Sequence, residues 1–133
     1  MIEDVQFIMF FTAISEYDQV LKEDGHTNLL KESVIHFNTI LNHQCFKHIP
    51  VILFLNKMDL FKEKINSGRS PVQNYFPDCP YNDHESNHES TNYDMAVEYF
   101  KQLFLDQNPN PDVRHIYSHI TCATDTQNIL KSC

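Results

Sequence analysis

Val51-Ile52-Leu53-Phe54-Leu55-Asn56-Lys57-Met58-Asp59 is a short apolar run that ends directly in an Asn-Lys-x-Asp motif. The run contains β-branched and aromatic residues, which is typical of a strand buried on both faces of a parallel sheet. In open α/β sheets, ligands bind beyond the carboxyl ends of the strands. The motif therefore lies where a loop of such a fold would contact a ligand.

The polar residues of this motif have the chemistry to read a guanine base. Guanine presents two neighbouring donors, N1–H and the N2 amine, which the carboxylate of Asp59 can accept together. Adenine offers no such pair, so it would leave a desolvated carboxylate unpaired at a cost of about 1–3 kcal/mol or more. Asn56 can join neighbouring loops and reach N7, while the methylene stem of Lys57 can lie across the ring. A solvated turn is the alternative for this motif taken alone.

A second strand-to-loop segment occurs near the end of the chain. Residues 115–120 alternate polar and apolar side chains, as a strand with one solvated face does, and Thr121-Cys122-Ala123-Thr124 follows. Small residues allow the backbone to approach a ligand, so the N–H of Ala123 can donate to guanine O6. Cys122 is interpreted as a small packing residue, because no His and carboxylate pattern accompanies it.

With both motifs in order, the chain resembles the α subunits of heterotrimeric G proteins, and most of all the inhibitory and transducin-like class. The resemblance extends through Ser15-Glu16-Tyr17-Asp18-Gln19-Val20-Leu21, Lys31-Glu32-Ser33, the segment from Phe54 to Phe61, and the segment from Ile116 to Asn128. It implies GTP or GDP as cofactor, with only the guanine-reading half of the site in this sequence. The residues implied to bind the nucleotide are Asn56, Lys57, Asp59, Cys122, Ala123 and Thr124.

The resemblance implies an α/β architecture, a partial Ras-like P-loop GTPase fold. The residue pattern predicts three parallel strands joined by crossover helices. Strands are expected at residues 5–13, 51–55 and 115–120. The first of them, which contains the apolar residues 7–11, is expected to be buried. Helices are expected from Thr27 as N-cap to about residue 41 and over residues 93–107, with a helical turn at 61–65. Residues 66–92 are expected to form a flexible loop.

By this resemblance, residues 1–128 correspond to the C-terminal part of a G-alpha GTPase domain, and residues 129–133 to a truncated tail. A phosphate-binding loop needs two glycines five residues apart followed by Lys, and the only glycines, Gly25 and Gly68, do not fit. The family's switch residues and Mg²⁺ ligands have no counterpart either, so no catalytic or metal-binding residue is assigned, and GTPase activity is implied by resemblance only. Leu29 stands where the family usually has an arginine, three residues before Glu32.

Composition limits the partners that are expected. A net charge of −8 disfavours nucleic acid, and no apolar stretch is long enough to span a bilayer. The four cysteines show no Cys-x-x-Cys spacing, which fits a reducing cytoplasm. The resemblance implies location at the cytoplasmic face of the plasma membrane for full-length members. It also implies a Gβγ dimer, a G protein-coupled receptor and an effector such as adenylyl cyclase or phosphodiesterase as partners.

Two further interpretations are weighed. His84-Glu85-Ser86-Asn87-His88 formally matches a zinc-protease motif, but the surrounding sequence is polar throughout and repeats His-Glu-Ser, so we interpret it as low-complexity sequence. The alternative function is a non-enzymatic interaction module or inactive truncated product that binds G protein partners. Its contact regions would be residues 29–32 and 106–115.

Overall fold

The computed structural model describes residues 7–80 and 92–121. Within these residues there are three strands and three α-helices, and short 3₁₀ helices follow β1, α1 and α2. The elements are β1 (Ile8–Ala13), α1 (Leu29–Leu41), β2 (Val51–Asn56), α2 (Met58–Ser67), α3 (Asn92–Leu105) and β3 (Ile116–Ile120). No helix within residues 7–80 and 92–121 is both long and apolar enough to cross a membrane.

The strands form one parallel sheet in the order β1-β2-β3, so chain neighbours are also sheet neighbours. The register places Phe11 beside Phe54 and Phe54 beside His119. Since parallel strands need a crossover between them, α1 connects β1 to β2, and α2 with α3 connects β2 to β3. This confirms the predicted partial α/β GTPase-like architecture of three parallel strands with crossover helices.

The predicted start of α1 is wrong by one residue, because Asn28 is the N-cap. The Asn28 side chain accepts hydrogen bonds from the backbone N–H groups of Leu30 and Lys31, at 2.9 and 3.0 Å. Thr27 does not cap the helix, since its hydroxyl and N–H both donate to the Asp24 carboxylate. Thr and Asn are both good N-cap residues, so the helix start was decided by Asp24, which accepts the hydrogen bonds of Thr27.

One side of the sheet carries the hydrophobic core. Alternate residues of β2 point into it, and aromatic side chains of all three helices pack there, with Phe37 of α1 only 4.8 Å from Phe10 between ring centres. Each helix presents apolar residues at the three- and four-residue spacing that one face requires. The largest fully buried side chains include Tyr17, Leu30, Phe37, Leu53, Leu55, Phe61, Phe100 and Phe104.

The opposite side of the sheet is partly exposed, so the prediction that the first strand is buried is wrong for this face. Phe7, Met9 and Phe11 each remain nearly half exposed, and so does Tyr117 of β3. Residues of a strand alternate between the two faces of a sheet, so an apolar run does not by itself say that both faces are covered. The strand also begins at Ile8, later than expected, while residues 5 and 6 lie outside the described part of the chain.

The helix after β2 is longer than the predicted turn at residues 61–65, because α2 extends from Met58 to Ser67. Gly68 ends it in a left-handed conformation, with φ of +72°, which glycine adopts without steric cost. The segment expected as a loop therefore starts after Ser67. It contains a 3₁₀ turn at Val72–Asn74, and its side chains Val72, Phe76 and Cys79 are buried. Residues 81–91, which include the His-Glu-Ser-Asn-His stretch, lie outside the described residues.

Candidate guanine-binding loops at the ends of two strands

The ends of β2 and β3 lie side by side, because the register pairs Leu55 with Ile120. The backbone bonds continue past the strands. The Thr121 N–H donates to the Leu55 carbonyl at 2.9 Å, and the Met58 N–H donates to the Thr121 carbonyl at 3.1 Å. The loop after β2 is thus hydrogen-bonded to the first residue of the loop after β3. The Asn-Lys-x-Asp motif is therefore joined to Thr121, the first residue of the second motif, at the carboxyl ends of the two strands.

The Asn56 side chain joins these two loops. Its carbonyl oxygen accepts a hydrogen bond of 2.8 Å from the Thr121 hydroxyl, and only 1% of Thr121 is exposed. A buried bond of this kind fixes the orientation of the amide and leaves its NH₂ group to face elsewhere. The sequence analysis expected Asn56 to join loops, but it assigned no role to Thr121. The available signal was a hydroxyl residue immediately after an alternating strand.

Lys57 has a left-handed backbone conformation, with φ of +60°. It is the only non-glycine residue with positive φ in the described part of the chain, and such conformations cost about 1–3 kcal/mol for residues other than glycine. Lys57 lies immediately before the first residue of α2, where the chain turns from strand to helix. The turn thus lies between Asn56, the last residue of β2, and Asp59, which is in the first turn of α2. Sequence alone gave no indication of this backbone conformation.

Asp59 lies in the first turn of α2 and is exposed. One of its carboxylate oxygens accepts a hydrogen bond of 2.9 Å from the Leu60 N–H. The positive end of a helix dipole favours an ionised carboxylate at this position. Burial first, and then the charges of Asp94 and Asp59, raise the pKa of the Tyr93 phenol in α3. Asp59 is therefore available as an acceptor on an accessible edge of the protein.

A polar cluster behind the loop holds α2 against the 3₁₀ helix that follows β1. The Lys64 ammonium donates to the Asp18 carboxylate at 2.7 Å and to the Ser15 carbonyl at 2.8 Å. The Ser70 hydroxyl also donates to Asp18, and the Tyr17 hydroxyl donates to the Ser70 carbonyl. Burial raises the pKa of the Asp18 carboxyl, but the hydrogen bonds from Lys64 and Ser70 outweigh it, so the pKa is lowered overall. This cluster positions the helix that carries Asp59.

The second half of the predicted pocket is not tested. Cys122, Ala123 and Thr124 lie outside the described residues, so their contact with a base stays a prediction. Asn56, Lys57 and Asp59 are brought to one strand end, as predicted, and their role in binding also stays a prediction. Among residues 7–80 and 92–121, no group of three or more His, Cys, Asp or Glu side chains has the arrangement of a metal site.

Comparison with known proteins identifies the family. The family model for the G-protein alpha subunit matches residues 1–133. The chain is 47% identical over 127 residues to the guanine nucleotide-binding protein alpha-17 subunit of Caenorhabditis elegans, and equally to the subunit of that name from Caenorhabditis briggsae. Each match covers 96% of this chain but 33% of the relative, so the chain spans about a third of these relatives' length. The chain belongs to the G-protein alpha subunit family.

Proposed function

We propose that this chain reads the guanine base of GTP or GDP as part of a G-alpha signal transducer that acts downstream of a G protein-coupled receptor. The observation that supports this most directly is the Asn56–Thr121 hydrogen bond, which joins the two loops expected to hold the base. Family membership supports it independently. The proposal adds which residues of this chain contact the guanine base.

In the proposed complex, Asp59 accepts N1–H and the N2 amine of guanine. It lies in the first turn of α2 and is exposed, so a base can approach it. The side-chain carbonyl oxygen of Asn56 already accepts a hydrogen bond from the Thr121 hydroxyl. The amide NH₂ of Asn56 is therefore the group that can donate to N7 of guanine. The stem of Lys57 covers the ring plane. These contacts favour guanine over adenine because adenine has an acceptor at N1 and no amine at C2, so it offers no donors at the positions that face Asp59.

The phosphates of the nucleotide and its Mg²⁺ need binding residues for which this sequence contains no matching motif. The sequence contains no GxxxxGK[ST] motif and no family-matched ligand for Mg²⁺, so base recognition is the contribution proposed for these 133 residues. GTP hydrolysis, Mg²⁺ binding, and contacts with Gβγ, receptor and effectors such as adenylyl cyclase or phosphodiesterase are proposed for a full-length G-alpha subunit. The proposed location is the cytoplasm and the cytoplasmic face of the plasma membrane.

The test is direct measurement of base binding by the 133-residue chain. Guanosine, adenosine and mant-GDP are titrated separately, with saturation-transfer NMR for the nucleosides and fluorescence for mant-GDP. We expect saturable guanosine binding with a Kd of about 1 mM, since base contacts alone supply only a few kcal/mol. Adenosine should not saturate. Equal binding of guanosine and adenosine by the folded chain would contradict the proposal.

A matched variant tests the role of Asp59. Asp59→Asn replaces an acceptor with an amide that can donate, so guanosine binding should be lost. Xanthosine has a carbonyl oxygen where guanosine has the N2 amine, so the variant should gain xanthosine binding. Asp106→Asn removes a carboxylate just after α3 and is the control, which should leave guanosine binding unchanged. Loss of guanosine binding in both variants would mean that the effect is general electrostatics.

A second candidate function is a non-enzymatic interaction module, and a groove between α1 and α3 favours it. The groove has a volume of about 300 Å³ and apolar walls that include Val34, Ile35 and Leu103. Lys31 at its mouth lies 5.1 Å from the centre of the Phe76 ring. Binding to purified Gβγ, measured by biolayer interferometry, tests this function. Ile35→Asp should abolish binding and Asp59→Asn should not; the reverse pattern would exclude the groove.

A further inference from the structure

A polar cavity lies at the other end of the sheet from the guanine-reading loops. It has a volume of about 220 Å³ and lies between the end of α1 and the loops that lead into β2 and β3. Because β2 has six residues, the two sites are separated by roughly 17–20 Å along the strands. Nucleotide contacts proposed for Asn56 and Asp59 therefore do not extend to this cavity.

Arg114, just before β3, forms one wall of the cavity and is only 5% exposed. Its Nε donates to the Lys47 carbonyl at 3.2 Å, and its Nη2 donates to the Phe46 carbonyl. Its Nη1 is buried and has no hydrogen-bond partner among the described residues. A buried charged donor that is left without an acceptor destabilises the folded protein. This nitrogen is therefore a buried donor that lacks an acceptor.

The charge of Arg114 is also uncompensated among the described residues. None of the ion pairs described for residues 7–80 and 92–121 includes it. Burial alone lowers the pKa of Arg114, with no opposing effect from a neighbouring carboxylate. A guanidinium still remains protonated at physiological pH. A buried cation in this state is stabilised by an anion placed within reach of its donors.

The remaining walls of the cavity favour an anion. They include Lys47, Asn42, Asn108 and Asn110, and no Asp or Glu residue. Carbonyl groups at the end of α1 would repel an anion, but those of Asn38 and Ile40 already accept hydrogen bonds. Backbone N–H groups of Asn42 and His43 donate to the carbonyls of Asn38 and Ile40, and the Asn42 amide donates to Asn38 as well. The electrostatic environment is thus set by two cations and neutral amides.

We propose that this cavity binds a small oxyanion of the phosphate class, held between the Arg114 guanidinium and the Lys47 ammonium. Its volume equals that of about seven waters at ~30 Å³ each, which accommodates a phosphate group with a few waters. A hydrogen bond from the Arg114 Nη1 to an oxyanion would be charge-assisted, and such bonds are stronger than those between neutral groups. An anion here would also connect the loops before β2 and β3, which Arg114 already joins through Phe46 and Lys47.

The test is a titration of the 133-residue chain with phosphate, in which ¹H–¹⁵N NMR spectra detect binding. Chloride keeps the ionic strength constant. We expect saturable shifts at Lys47, Asn108, Asn110 and Arg114, and none at Asn56. A parallel titration with glycerol phosphate distinguishes the source, since a monoester binds only if the cavity admits its organic group. Absence of saturation with both ligands would overturn the proposal, and so would a chain with no folded circular dichroism signal.

Matched lysine variants separate the site from general charge effects. Lys47→Gln should weaken phosphate binding at least fivefold, whereas Lys101→Gln, which removes the same charge from α3, should not change it. Asp59→Asn should also leave phosphate binding unchanged, so failure of guanine binding and failure of this site are distinguishable. If Lys47→Gln and Lys101→Gln weaken binding equally, phosphate associates through net charge only. Arg114→Lys keeps the positive charge but loses the planar guanidinium donors, so this variant should also bind phosphate more weakly. The comparison uses the folded variant, as judged by its thermal unfolding.

Discussion

Both faces of the sheet carry apolar residues, but the two faces differ in what covers them. On one face, Leu53 and Leu55 are completely buried under the three helices. On the other, Phe11 of β1 stacks on Phe54 with ring centres 4.6 Å apart, yet 43% of Phe11 remains exposed. The difference teaches that side-chain hydrophobicity alone does not make a core, because burial also needs a partner element at the right distance.

The largest expected difference between the faces concerns phenylalanine truncation. Phe100→Ala removes a completely buried ring that contacts Phe61, Phe76 and Tyr99, so it should lower the free energy of unfolding by about 3–5 kcal/mol. Phe11→Ala should lower it by about 1 kcal/mol, since its ring is already half in water. Urea unfolding followed by circular dichroism measures both values. Similar losses in the two variants would mean that the second face is also covered in solution.

The next difference concerns two ion pairs. Lys64 and Asp18 are largely buried, with a hydrogen bond of 2.7 Å, whereas Lys101 and Glu98 form a more exposed pair at 3.8 Å on α3. Asp18→Asn should therefore destabilise the protein by about 1.5–3 kcal/mol at neutral pH, and Glu98→Gln by less than about 0.5 kcal/mol. The comparison fails if both substitutions have the same effect.

The sign of the pH dependence follows from the Asp18 carboxyl. Its pKa in the folded state lies below the ordinary value of 3.8. Its stabilising contribution is therefore complete well above pH 3.8 and is lost as pH falls through the lowered folded-state pKa. The stability gap between the native sequence and Asp18→Asn should narrow in acid. A gap that stays constant from neutral pH down to below the folded-state pKa would show that Asp18 acts through packing instead.

A smaller effect is expected where the two loops that are proposed to bind the base meet. Thr121→Val removes the buried hydroxyl bonded to Asn56, so it should cost about 1–2 kcal/mol of stability and weaken guanosine binding. Thr39→Val removes an exposed hydroxyl bonded to the Ile35 carbonyl within α1 and should be within about 0.5 kcal/mol of neutral. Thermal unfolding and guanosine titration measure the two effects. If Thr121→Val leaves guanosine affinity unchanged, the orientation of Asn56 does not matter for binding.

The smallest effect is expected at the left-handed turn. Lys57→Gly should raise stability by up to about 1 kcal/mol, because glycine adopts φ of +60° without strain. It should also weaken guanosine binding, since the proposed ring contact needs the side chain. Lys62→Gly, inside α2, is the matched control and should lower stability by about 0.5–1 kcal/mol. Thermal shift assays measure whether each variant is more or less stable than the native sequence. If both variants are destabilised, the backbone at Lys57 is not strained.

Much of the architecture could be predicted from the sequence because it depends on local periodicity. The buried residues Ala96, Val97, Phe100 and Phe104 lie on the predicted face of the last helix, and the two base-reading motifs follow strands as expected. The sequence analysis missed features that depend on other parts of the chain. The exposure of Phe11 depends on what packs over β1, and the role of Thr121 depends on its contact with Asn56, 65 positions earlier. Thr27 lost its predicted capping role to Asn28 because Asp24 binds it.

The outer position of β1 has a consequence for the protein at high concentration. Among the described strands, β1 has a neighbour on one side only, and residues 7–13 contain no charged side chain or proline. Charges and prolines are the residues that normally prevent edge strands from pairing between molecules. We therefore expect light scattering to rise with concentration well below the unfolding temperature, and Met9→Lys to suppress that rise. Colloidal behaviour, more than heat, would then limit how the isolated chain can be handled.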